Sequence, residues 1–340
     1  MIERPCYIFG PCSAETREQT LLTARQIKEA CGEIPFIYRA GVWKPRTRPH
    51  TFRGAGDKAL EWLQEVQQMG IRVAVEVATP EHVVAALKAK MDYLWIGART
   101  SANPIAVQEL ADTLSMQHFY PEGVFIKNPV HDDPKLWLGN IERFELAGVP
   151  VAAVHRGCNH RPCWAMAHEV RMARPDIPML LDPSHMSGDA AVVPELLKRV
   201  PELGLDGAMI EVHCQPEEAL SDNAQQITPS CLRDCLDSIL SRLCVVSLIS
   251  TNKEEKELNW LRAEIDEQDD RLWETLVERM DISRRIGEWK KAHNVPPLQP
   301  MRYQQILTQR KQWARQNGID ESFVEQIFDL IHQESLKRQE

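Results

Sequence analysis

Short strand-like runs and longer amphipathic stretches alternate through the first 250 residues of this 340-residue chain, and no other feature limits its fold as strongly. Runs rich in β-branched and aromatic residues fall at Cys6–Gly10, Phe36–Tyr38, Val73–Val77, Tyr93–Ile96, Val124–Lys127, Ala152–His155, Met179–Asp182 and Ala208–Val212. Between them lie segments of helical period, among them Thr16–Cys31, Asp57–Met69, Pro80–Lys90, Pro104–Leu114, Lys135–Ala147 and Ala191–Val200, several of which open on Pro or Asp. Eight strand–helix units over such a length predict an α/β fold of the (β/α)8 TIM-barrel type. An open doubly wound sheet is the rival, but no Gly-x-Gly-x-x-Gly turn follows the first strand, which argues against a dinucleotide fold.

Beyond Ser250 the pattern changes. Thr251–Glu257 is polar and charged and reads as a linker running into a helix start, so the domains are expected at 1–250 and 258–340, with 251–257 between them. From Leu258 to Lys291 the apolar residues keep helical spacing without a proline, predicting a helix about 50 Å long that needs partners. Pro296-Pro297 ends it, and helices are expected at Pro300–Gln316 and Glu321–Gln339, with Asn317-Gly318 as a cap between them.

No apolar run approaches the roughly 20 residues of a membrane span. The net charge of -9 argues against a nucleic-acid partner, so any anion site must be local. The nine cysteines are odd in number and irregularly spaced, and the N-terminus lacks the regions of a signal peptide, so a cytoplasmic chain with reduced thiols is expected.

Reactive groups of such barrels sit at the C-terminal strand ends. Six cations fall there: Arg39, Lys44, Arg46, Arg99, Lys127 and Arg156. Gathering them at one rim implies a multiply phosphorylated or carboxylated substrate. The same ends carry Cys12, His185, Glu211 and Asp222, a mixture of thiolate, imidazole and carboxylates suited to Mn2+, Fe2+, Co2+ or Zn2+ rather than to Mg2+ or Ca2+. Each also has a plain structural reading, as packed thiol, cap or turn residue. Cys158-Asn159-His160-Arg161-Pro162-Cys163 could suggest a second metal, but its spacing favours buried thiols.

In order along the chain, Gly10-Pro11-Cys12-Ser13-Ala14-Glu15, Lys44-Pro45-Arg46-Thr47, Gly97-Ala98-Arg99-Thr100-Ser101, Asp182-Pro183-Ser184-His185 and Ile210-Glu211-Val212-His213 resemble 3-deoxy-D-arabino-heptulosonate 7-phosphate (DAHP) synthases in their compact form. The resemblance makes Cys12, His185, Glu211 and Asp222 ligands of a divalent metal. It gives Arg39, Lys44, Arg99, Lys127 and Arg156 to phosphoenolpyruvate, with Lys44 also catalytic, and Arg46 and Thr47 to erythrose 4-phosphate. The octulosonate 8-phosphate synthases are a more distant alternative, because Lys44-Pro45-Arg46-Thr47 matches the heptulosonate enzymes better.

In the C-terminal region Arg279 and Lys290, 11 residues apart, project within about 20° of each other, and Arg262 points about 100° away, as it would to serve a neighbouring subunit. Ser335 and Gln339 share a face at i and i+4. With Leu261-Arg262-Ala263-Glu264-Ile265-Asp266 and Arg302, these positions resemble the all-helical chorismate mutases. The resemblance implies a dimer or higher homo-oligomer in which Arg262 and Arg279 bind the substrate carboxylates, Arg302 and Ser335 bind substrate, and Lys290 and Gln339 act on the ether oxygen. Where that family often has acids, this chain has Gln299 and Tyr303, leaving the substrate hydroxyl without its usual partners.

The expectation is a bifunctional enzyme with feedback by prephenate through the helices. Two rivals remain open: a non-catalytic helical sensor of chorismate or prephenate, and an isochorismate pyruvate lyase.

Overall fold

A computed structural model of the chain describes residues 2–44, 50–249 and 253–339. Eight parallel strands close into a barrel in sequence order: β1 (Cys6–Gly10), β2 (Ile37–Ala40), β3 (Arg72–Val77), β4 (Tyr93–Ile96), β5 (Gly123–Lys127), β6 (Val151–His155), β7 (Met179–Leu181) and β8 (Gly207–Glu211). The barrel closes through β1 and β8, where Cys6 to Gly10 pair with Gly207 to Glu211 residue for residue. The predicted TIM-barrel architecture is therefore the one adopted.

Side chains alternate across each strand, so one set fills the barrel and the other faces the helices. Ile8, Ile37, Ala74, Tyr93, Trp95, Phe125, Ala152, Val154, Leu180 and Met209 belong to the interior cluster. The outward set, including Phe9, Tyr38, Val75, Leu94, Ile126 and Ala153, packs with the helices into one larger core. Several helices start where the sequence signals them. Thr16, Thr79, Asn103, Asp133 and Asp182 each cap a helix by accepting a backbone N–H, and proline opens four of those five.

Past β8, a helix spans Pro229–Ile249 and a 40-residue helix spans Lys253–Ala292. The latter starts inside the stretch expected as linker, because Lys253-Glu254-Glu255-Lys256-Glu257 consists of strong helix formers with opposite charges in reach of one another. Two further helices run Pro300–Gln316 and Glu321–Lys337. By contacts the chain forms two units, residues 1–264 and 265–340. In the first, Trp260 and Ala263 are buried, with Trp260 stacked on His168 at 5.3 Å and His168 Nδ1 paired with Glu264 at 2.7 Å. The opening turns of the long helix thus belong to the barrel's core. Among the described residues no helix is long and apolar enough to cross a membrane.

Candidate active sites

Every strand except β1 and β6 ends its inward row on a charged or aromatic group, and these converge at the C-terminal mouth. The cavity there is about 190 Å3 and is lined by Arg39, Lys44, Arg99, Lys127, Arg156, His185 and Asp222, with Glu76, Trp95, His160 and Gln225. Five of the six expected cations thus come together. Arg46 and Thr47 lie outside the described residues.

The cations are held, not floating. Arg39, 1% exposed, lies over the Trp95 ring at 4.9 Å and donates from Nη2 to Glu211 Oε1 at 2.9 Å. Its Nε and Nη1 are buried with no partner in the structure, as is Nε of Arg156. Leaving such donors unmet is costly, and the two residues that carry them line the cavity. Lys127 Nζ contacts Asp182 Oδ2 at 2.6 Å, yet burial pulls its ammonium below its usual range despite that carboxylate. Lys44 runs the other way: burial opposes its charge, but Cys12 and Glu76 raise it, the latter 3.6 Å away. Its Nζ also donates to the Cys12 carbonyl at 3.0 Å.

The four expected metal donors stand at this mouth as two pairs. Cys12 Sγ meets Asp222 Oδ2 at 2.9 Å, and His185 Nε2 lies 3.6 Å from Glu211 Oε1. No three such donors among the described residues already surround one point. The donor set nevertheless fits a borderline divalent ion in its chemistry and its supports. Asp182 holds His185 Nδ1 at 2.9 Å, which fixes the ring and leaves Nε2 for a ligand. Gln225 Nε2 donates to the second oxygen of Glu211 at 2.7 Å, and Gln226 Oε1 accepts from Cys12 N at 2.9 Å. Asp222 sits at φ 47°, in the left-handed region that aspartate tolerates better than most non-glycine residues. Burial, reinforced by Glu211, pushes the Cys12 thiol up, so without a cation these acids and the thiol oppose one another.

Glu76, Trp95 and the positioning role of Asp182 were not singled out from sequence. Glu76 carried a readable signal, the one acid in the apolar run Val73-Ala74-Val75-Glu76-Val77. Trp95 looks like core until Arg39 is seen above it.

In the second unit, Arg279 Nη1 donates to Ser335 Oγ, and Lys290 Nζ donates to Gln339 Oε1 at 2.8 Å and to the Pro297 carbonyl at 2.6 Å. Gly287 lets the chain end come this close, because a Cβ there would lie 2.6 Å from Gln339 Cα. Burial lowers both Arg279 and Lys290. Tyr303 donates to Asp329 and stacks on His332 at 4.0 Å, and burial with Arg279 lowers His332. Arg302 is exposed. Arg262 lies in the first unit, exposed, with Nη1 3.4 Å from Asn259 Oδ1.

A TIM barrel with a cation-lined mouth and a separate helical unit carrying half-buried Lys–Gln and Arg–Ser pairs defines a two-module protein. Residues 3–241 match the DAHP synthetase I family, to which the chain belongs, and residues 261–340 match chorismate mutase type II. A Thermotoga maritima phospho-2-dehydro-3-deoxyheptonate aldolase is 30% identical over 228 residues, 65% of this chain, and the chain spans 64% of that relative's length. The helical part is 38% identical over 78 residues, 23% of this chain, to 76% of a Streptomyces venezuelae 4-amino-4-deoxychorismate mutase. A crystal structure of the T. maritima DAHP synthase superposes with a TM-score of 0.62 at 25% identity, covering 71% of this chain and 70% of that one.

Proposed function

We propose that the barrel condenses phosphoenolpyruvate with erythrose 4-phosphate to DAHP and phosphate, and that the helical unit rearranges chorismate to prephenate. The observation that carries the first half is Arg39, buried and with two nitrogens unmet at the centre of a cationic mouth. The five cations would compensate and orient two phosphorylated substrates, work that is mostly positioning and electrostatics. C3 of phosphoenolpyruvate attacks the aldehyde carbon, water adds at C2 and phosphate leaves. Lys44, whose charge is supported by Glu76 3.6 Å away, would hold the phosphoenolpyruvate carboxylate and supply the proton that the aldehyde oxygen takes up. Cys12, His185, Glu211 and Asp222 would hold Mn2+, Fe2+, Co2+ or Zn2+. A divalent ion there supplies Lewis-acid polarisation of the aldehyde.

In the helical unit no acid, base or nucleophile is needed. Arg279, with Arg262 from a second copy, would bind the two carboxylates, and Lys290 with Gln339 would donate to the ether oxygen as negative charge grows on it. Arg302 and Ser335 would complete the binding site. The second copy is supported by the apolar surface of this unit, which includes Ile265, Leu272, Trp273, Val277 and Trp289, all exposed. Prephenate feedback on the barrel and a cytoplasmic setting complete the reading.

A second substrate, 4-amino-4-deoxychorismate, is favoured by the Streptomyces relative. One purified sample, assayed for DAHP formation and for loss of either chorismate, with and without a chelator and across a prephenate titration, tests the whole reading. Both activities are expected, with only DAHP formation chelator-sensitive. Chorismate bound but not consumed would make the helices a sensor, salicylate from isochorismate would make them a lyase, and a flat prephenate titration would remove the feedback.

A further inference from the structure

The loop after β6 is built around a residue that neither module's reading uses. Cys158 N donates to Arg161 O at 2.8 Å and Arg161 N returns a bond to Cys158 O at 3.1 Å, closing a two-residue turn. Its two central residues, Asn159 at φ 52° and His160 at φ 59°, are both left-handed, the arrangement of a type I′ turn. Asparagine suits the first of those positions. The second is where glycine is strongly preferred, because a Cβ is strained there. This chain places histidine at that position.

The neighbouring structure accommodates the ring. Gly188 caps the helix Pro183–Ser187, which carries His185, and a Cβ on it would stand 2.7 Å from His160 Nδ1. Gly157, just before the turn, could carry no Cβ either, since it would meet the Arg161 carbonyl oxygen at 2.1 Å. Both glycines therefore favour one seat for the turn and its imidazole. From that seat His160 lines the cation-lined cavity alongside Arg99, Arg156 and His185. His160 is exposed, and among the described residues no side-chain hydrogen bond engages its imidazole, so its ring nitrogens are open to water or to a ligand.

We infer that His160 is a further substrate-binding residue of the barrel, donating from its imidazole to the phosphate of phosphoenolpyruvate beside Arg156 and Arg99. The inference rests on the synthase reading for the identity of the phosphate donor. Arg156 lies four residues before His160 on the same connection and keeps Nε unmet, so one loop would present both a guanidinium and an imidazole to the same group. Strain held at a cavity wall is the pattern expected of a functional residue, not of a turn selected for stability.

The test uses His160→Gly in the full-length, metal-loaded enzyme, because glycine relaxes the turn that histidine strains. The expected result is an unchanged or raised Tm with KM for phosphoenolpyruvate up about tenfold or more, the loss of one hydrogen bond to a charged group, and KM for erythrose 4-phosphate unchanged. Inhibition by added inorganic phosphate should weaken in parallel. Kinetic constants equal to wild type would overturn the inference, as would equal changes in both KM values, which mark a structural role. Should His160→Gly fail to fold, His160→Asn tolerates the left-handed backbone and is judged by the same constants. If the wild type binds inorganic phosphate by calorimetry but forms no DAHP, the synthase reading falls. Weaker phosphate binding in His160→Gly would then still support the contact, and equal binding would overturn it.

Discussion

The barrel and the helical unit handle polar groups in opposite ways. The barrel closes on itself and buries Arg39, Lys127, Asp182 and Glu211 behind a continuous apolar core. Among the described residues from 265 onward, the buried apolar side chains are Ala314 and Val324, whereas Leu272, Trp273, Val277, Ile282, Trp289, Met301 and Leu330 are exposed. The helical pairs Arg279–Ser335 and Lys290–Gln339 are formed, but the apolar surface around them is not covered. A closed sheet supplies its own low-dielectric surroundings, whereas three helices that leave this much apolar surface exposed do not.

The sharpest break would come from exchanging losses between the units. Arg39→Ala removes the buried partner of Glu211 and the unmet donors above Trp95, and should lower DAHP formation by about 10^3-fold with chorismate turnover kept. Arg279→Ala should do the reverse. Loss of both activities in either variant would mean that the units are not chemically independent.

Acid distinguishes the units next. His155 is fully buried between Trp137 and Trp164, with both ring nitrogens unpartnered, and burial lowers it to about 3. A histidine depressed in the folded state contributes nothing adverse above its unfolded value near 6.5. As pH falls below that, the unfolded chain takes up a proton that the folded chain refuses, and stability drops by about 2 kcal/mol at pH 5, continuing down to pH 3. In His155→Leu, denaturant unfolding of the barrel at pH 5 and pH 7 should lose that difference. A variant with the same acid loss as wild type would exclude His155 as its source.

Much of this was readable in advance, and the division follows the physics. Strand ends were legible because period-2 and period-3.6 patterns alternate cleanly, so β1, β4 and the helix Pro300–Gln316 agree with expectation to the residue. The cation set was legible because charges at strand termini have few other reasons to recur. What stayed hidden depends on contacts between distant strands: Trp95 under Arg39, Asp182 bridging Lys127 and His185, and Gln225 on Glu211. The burial of Trp260 among barrel residues was hidden for the same reason, since its partners Trp164 and His168 lie about 90 residues earlier.

The exposed helical face gives a smaller, concentration-dependent effect. Trp273→Glu with Val277→Glu places two charges one turn apart on the long helix, where both native residues are exposed. If a second copy covers them, chorismate turnover should fall about tenfold at low protein concentration and sedimentation should shift toward the monomer, with the barrel's Tm unchanged. Unchanged turnover would mean that the helical site is complete in one chain.

The smallest effect concerns the substrate substituent. Tyr303 ties the second helix to Asp329 on the third and stacks on His332, which in turn feels Arg279 and Lys290. Tyr303→Phe keeps the stacking and releases Asp329, a change of about one hydrogen bond. If that carboxylate is held away from the substrate by Tyr303, its release should favour an ammonium over a hydroxyl, and kcat/KM for 4-amino-4-deoxychorismate relative to chorismate should rise about two- to fivefold. A ratio that does not move would mean that Asp329 serves only to join the two helices, and that substituent selection lies with Gln299 or with the second copy.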